Sequence, residues 1–162
     1  MTLTASGICF AQNDIAKPVA LEQAKYYHLD FVIKELEDGK VTNSRHYSMM
    51  VLSQTNGSIR TGDKVPVRTS SGESKLYTYL DVGVNIDCRQ VRQVQDKLVL
   101  SVAVDISSVA GETTSVTPPL IRNTKWSSEV TLPLNKPTVL FMSDDAAAKR
   151  QMQLELTGTP VI

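Results

Sequence analysis

The chain has 162 residues, 41% hydrophobic and only 6% aromatic, and its 17 Lys and Arg balance 17 Asp and Glu. That length fits one domain with a real core. Zero net charge and sparse aromatics supply neither a basic field nor a base-stacking surface, which argues against a nucleic-acid partner.

Residues 1–25 read as a signal remnant or an extended arm, and 26–162 as a single β-domain. "MTLTASGICFAQ" is uncharged and ends in Cys9-Phe10-Ala11 before Gln12. It resembles the cleavage end of a secretory signal and points to export. In "IAKPVAL", Ile15, Val19 and Leu21 fall at mostly alternate positions. An extended segment of that kind can pair with an open sheet edge, its own or a neighbour's, and an edge tolerates Pro18.

From Tyr26 the hydrophobic period is two. "YYHLDFVIKEL" sets Tyr27, Leu29, Phe31 and Ile33 on one face. Asp38-Gly39 then predicts a two-residue type I′ hairpin turn, with "VTNSRHYSMMVLS" as the returning strand. That turn would place Phe31 opposite His46 and His28 opposite Met49, so the two histidines would lie on opposite faces and share no metal. "QTNGS" predicts a second turn. "IRTGDKVPV" is the next strand, and Pro66 near its end suits an edge. "RTSSGES" reads as a mobile loop.

"YTYLDVGVNID" sets Leu80, Val82, Val84, Ile86 and Cys88 on one face, with Asp81, Asn85 and Asp87 on the other. After a charged turn, "DKLVLSVAVDISSV" alternates Leu98, Leu100, Val102, Val104 and Ile106. These two segments form the best hairpin in the sequence. "LIRNTKWSSEVTLPL", "PTVLFM" and "QMQLELTGTP" supply further strands, and "SDDAAAKR" predicts one helical turn capped by Ser143 or Asp144. About eight strands with regular turns and no long helix predict an all-β domain, sandwich-like or a strongly curved antiparallel sheet.

Nothing in the sequence organises catalysis. There is no G-x-S-x-G, P-loop, G-x-G-x-x-G or H-E-x-x-H motif. Any Ser-His or Cys-His pair would need His28 or His46, and neither has such a context. Asp81, Asn85 and Asp87 are spread over about 20 Å of strand, whereas a calcium loop needs converging oxygens. They read as a solvated face. Cys9 and Cys88 form no disulfide framework, and Cys88 reads as a small buried hydrophobe. No enzyme activity, cofactor or metal is expected.

The order of these segments resembles the C-terminal β-domain of bacterial secretins, the ring-forming outer-membrane channels of type II and type III secretion and type IV pili. The family carries Gly-x-x-Val-Pro-Val, matched by Gly62, Val65, Pro66 and Val67. A strand reading Tyr-x-Asp-Val-Gly-Val follows it, matched by Tyr79, Asp81, Val82, Gly83 and Val84. Val104 to Ser108 then match a strand ending in a Val-Ser-Ser-like turn, and Pro119, Arg122 and Thr124 a later strand. Residues 59–142 carry most of the likeness, and 26–58 a weaker part. Met142-Ser143-Asp144 departs from the family's Gly-Gly-Leu turn, "EDGK" is shorter than its insertion, and the ring domains that precede the β-domain in the family are not in this sequence.

The resemblance implies a shortened secretin-like β-domain. It would be a non-enzymatic, exported structural or assembly component in protein secretion or pilus biogenesis, periplasmic, outer-membrane-associated or extracellular. Its partners would be copies of itself or other envelope proteins. Direct membrane insertion is disfavoured, because eight short strands need their apolar face internally. The alternative is a secreted self-assembling β-sandwich, either a filament subunit with a strand-donating arm or a soluble binding module.

Overall fold

The computed structural model describes residues 25–68, 76–110, 119–145 and 149–161. They form eight strands: β1 (Tyr26–Glu37), β2 (Lys40–Leu52), β3 (Gly57–Arg68), β4 (Tyr77–Val94), β5 (Lys97–Ala110), β6 (Leu120–Pro133), β7 (Thr138–Asp145) and β8 (Arg150–Val161). All pairings are antiparallel. One sheet has the order β2-β1-β8-β7 and the other β3-β4-β5-β6. The all-β expectation holds.

Alternation explains the core. The odd positions of β1 (Tyr27, Leu29, Phe31, Ile33) and the even positions of β5 (Leu98 to Ile106) are buried, with Val84, Ile86 and Cys88 of β4 and Leu154 and Leu156 of β8. Two inward faces packed on each other leave the outward faces to charge and water. Trp126 and Phe141 stack across the sheets at a centroid distance of 6.0 Å.

Asp38 and Gly39 both have positive φ, at 48° and 76°, as the hairpin turn requires. The register beyond the turn differs from the expected one. Glu37 pairs with Lys40, but a bulge between Glu35 and Leu36 shifts every later pair by one. Phe31 therefore faces Tyr47, not His46, and His28 faces Met50, not Met49. His46 sits opposite Val32, so the two histidines share one face. They stand about 13 Å apart along the ribbon, too far to hold one ion. A bulge adds a residue to one strand and inverts the facing of everything after it.

Three more expectations change. β4 runs past Cys88 to Val94 through a second bulge at Arg89–Arg92, which buries Val91, and the turn falls at Gln95-Asp96. Ser143 and Asp144 cap no helix, because β7 continues through them, paired with Met152 and Gln151. Leu80 does not join the core and is 39% exposed. The expected arm, with Ile15, Val19 and Leu21, lies outside the described residues, as does most of the "RTSSGES" loop.

Candidate functional site

The residues of the Gly-x-x-Val-Pro-Val and Tyr-x-Asp-Val-Gly-Val segments come together as one ribbon. Gly62 pairs with Gly83, Val65 with Leu80 and Pro66 with Tyr79, while Asp81 faces Lys64, Val82 faces Asp63 and Val84 faces Thr61. The glycine pair sets its geometry. Gly83 has φ +155°, and a Cβ there would lie 2.1 Å from the Thr61 carbonyl oxygen. A Cβ on Gly62 would lie 2.2 Å from the Val82 oxygen. Only a residue without a side chain lets these backbones approach so closely.

The sheet forks at this point. The β4–β5 ladder reaches only Val84–Ile106, whereas β3 stays paired with β4 as far as Arg68–Tyr77. The Gly83 N–H donates to the Ser107 hydroxyl at 2.9 Å, so a side chain takes over where the ladder stops. Past the fork run two separate ribbons, β3–β4 and β5–β6, the latter ending at Ala110–Leu120. Tyr77 and Tyr79 stand on the outward face with Asp81, and Leu80 and Leu120, at inward positions past the fork, are exposed as well.

The acidic face of β4 is a set of cross-strand ion pairs. Lys64 Nζ donates to Asp81 at 2.8 Å and Arg60 Nη2 to Asp87 at 2.6 Å, and Lys125 sits 2.9 Å from Asp105 on β5. Exposed pairs of this kind contribute about 0–1 kcal/mol each and fix register more than stability. His28 Nδ1 lies 3.1 Å from Asp30, and Ser44 Oγ 3.3 Å from His46 Nε2. Among the described residues no three His, Cys, Asp or Glu gather as a metal site. Cys88 is free and buried. Desolvation, then the nearby Asp87 charge, pushes its thiol up to about 12.

Open edges are the other conspicuous feature. β2 and β7 bound one sheet, and β3 and β6 the other. Met50 and Val41 on β2, and Val139 and Met142 on β7, are apolar and exposed. Sequence reading picked out β3 as an edge through Pro66. It missed the edge residues of the other sheet, because a single exposed Val or Met carries no local signal. It also missed a polar cleft where the two sheets part, lined by Arg45, Arg122 and Arg150. The readable sign was charge at inward positions, where Ile33 is followed by Glu35 and Glu37, and Leu154 and Met152 are preceded by Arg150.

No protein-family model matches the chain, and no curated protein matches it in sequence. Solved structures do match. The secretin InvG of the Salmonella SPI-1 type III secretion injectisome is similar at TM-score 0.58 and 6% identity, over 86% of this chain and 65% of that one. This chain has a secretin-like β fold. A chain of the Klebsiella pneumoniae type II secretion system outer membrane complex of PulD, PulS and PulC matches at TM-score 0.51 and 12% identity, over 86% and 39%. Aeromonas hydrophila ExeD matches at 0.50 and 12%, over 85% and 46%. The chain spans less than two-thirds of each of these relatives, and at such identities the likeness is one of fold.

Proposed function

We propose that this chain is a non-enzymatic structural subunit of a bacterial cell-envelope assembly in protein secretion or pilus biogenesis, working by self-association through its sheet edges. The observation that carries this reading is the direction of the edges. Four antiparallel strands in a row leave the two outer strands running oppositely. β6 of one copy can therefore pair antiparallel with β3 of the next while every copy points the same way, and β7 can do the same with β2. Such head-to-tail contacts close into a ring or propagate as a filament. Likeness to secretin structures favours the ring and an envelope location, periplasmic or outer-membrane-associated. Residues 1–25 are then an export or arm segment, and 26–162 the assembling domain.

The test is electron microscopy of the purified full chain, with its size in solution measured alongside. Rings are expected. Filaments would favour the strand-donating sandwich instead. Single particles at all concentrations would overturn self-association.

A further inference from the structure

At one end of the sandwich the two sheets part. Ile33, Leu154 and Ile106 are the last buried residues there. Beyond them the inward positions turn polar, with Glu35 and Glu37 on β1, Arg45 on β2, Arg122 on β6 and Arg150 on β8. They line a cleft of about 510 Å³, inside the range of roughly 300–1,000 Å³ usual for ligand pockets.

Three guanidinium groups meet two carboxylates in this cleft. Glu35 takes Nη2 of Arg45 at 2.5 Å, while the Nε of Arg45 is buried with no partner. Arg150 Nε lies 4.0 Å from Glu37, with both side chains about half exposed, so that contact is loose. Arg122 makes no ion pair among the described residues. Cationic donors outnumber the acceptors that the protein supplies.

We propose that the cleft binds a phosphate group, held by Arg122 and Arg150 with the charge of Arg45 behind them. A phosphate presents three oxygens and nearly two negative charges to planar guanidinium forks. A carboxylate presents only two oxygens and one charge, and the protein already places two carboxylates here. The phosphate can be a free ion or the headgroup of a lipid. Leu120, exposed and two residues from Arg122 on the same strand face, would lie along an acyl chain. This site is independent of the edge pairing proposed above.

The full chain is titrated calorimetrically with inorganic phosphate at constant ionic strength, and co-sedimented with vesicles of phosphatidic acid or of phosphatidylcholine. Saturable binding is expected to phosphate, to phosphatidic acid, or to both, with phosphatidylcholine inert. Binding of inorganic phosphate assigns a site for the group itself; binding of phosphatidic acid alone assigns a lipid headgroup. Arg122→Gln and Arg150→Gln should each weaken binding about tenfold or more, the scale of one charge-assisted hydrogen bond. Glu37→Gln should strengthen it by releasing Arg150. Lys136→Gln, in the turn between β6 and β7 at the opposite end, should change nothing. Thermal melts establish that each variant is folded. No saturable binding of either probe would overturn the proposal. So would a loss with Lys136→Gln equal to that with Arg122→Gln, which would mean diffuse charge and no site.

Discussion

Val84 and Asn85 are neighbours in sequence and opposites in environment. Val84 is 1% exposed, while Asn85 faces water between Arg60 and Asp105. Val84→Asp should cost on the order of 3 kcal/mol or more, since an unpaired charge enters the core. Asn85→Asp should cost less than about 1 kcal/mol, because its neighbours include one charge of each sign. Denaturant unfolding of both variants checks this, and equal losses would reverse the facing of β4. The glycines make a second contrast. Gly39 has positive φ but open space around it, whereas at Gly83 a Cβ meets backbone at 2.1 Å. Gly39→Ala should cost about 1 kcal/mol, and Gly83→Ala clearly more, because only backbone can yield. Cys88 supplies a pH dependence. Its thiol rises from 9.0 to about 12 on folding, so the folded state holds its proton while the unfolded state loses it. Stability from this source is full below pH 9 and falls as pH rises from 9 toward 12. Wild type should lose melting temperature across that window more steeply than Cys88→Ala.

At the scale of elements, the first hairpin shows how far local chemistry reaches. Asp38-Gly39 is legible because a type I′ turn needs two positive φ values and these residues accept them. The bulge three residues away is not legible: the extra residue is Thr42 on β2, which carries no turn signal, and β2 is an edge strand with no second neighbour to disturb, while β1 keeps its register with β8. That one residue moves His46 to the face of His28. The arm belongs to this scale as well. The Lys25 carbonyl accepts the Ser53 N–H at 2.7 Å, so the first described residue sits beside the turn between β2 and β3. If the arm pairs with a neighbour's edge, deleting 1–24 should abolish assembly while circular dichroism keeps the strand signal. A lower melting temperature with an unchanged oligomer would assign the arm to its own sheet. No change in either would leave it a spent leader.

For the whole molecule, self-association and folding should be separable. Met50 on β2 and Val139 on β7 are 58% and 49% exposed, and neither belongs to the core. Met50→Lys combined with Val139→Lys should leave the melting temperature nearly unchanged, as surface changes away from special features do. The same pair should block assembly, because lysine on an open edge opposes strand addition. Sedimentation beside a thermal melt reads both quantities. Assembly that survives the double change would move the interface to the β3 and β6 edges or away from the edges altogether.

By itself the sequence determined the strand content, the alternation that buries Leu98 through Ile106 and Tyr27 through Ile33, and the turn at Asp38-Gly39. These are local properties: side chains alternate across a pleat, and a turn is chosen by the φ of two residues. Tertiary structure decided which strands meet. β1 pairs with β8 across almost the full length of the domain, and no short stretch encodes that. It also decided where the core stops. Leu80 continues the apolar face of Val84, yet it is exposed, past the point where β5 leaves β4. Where the two sheets part, tertiary structure brings Arg45, Arg122 and Arg150 together from three strands. Burial depends on what lies across the gap, and that is set only when two distant faces of the chain have packed.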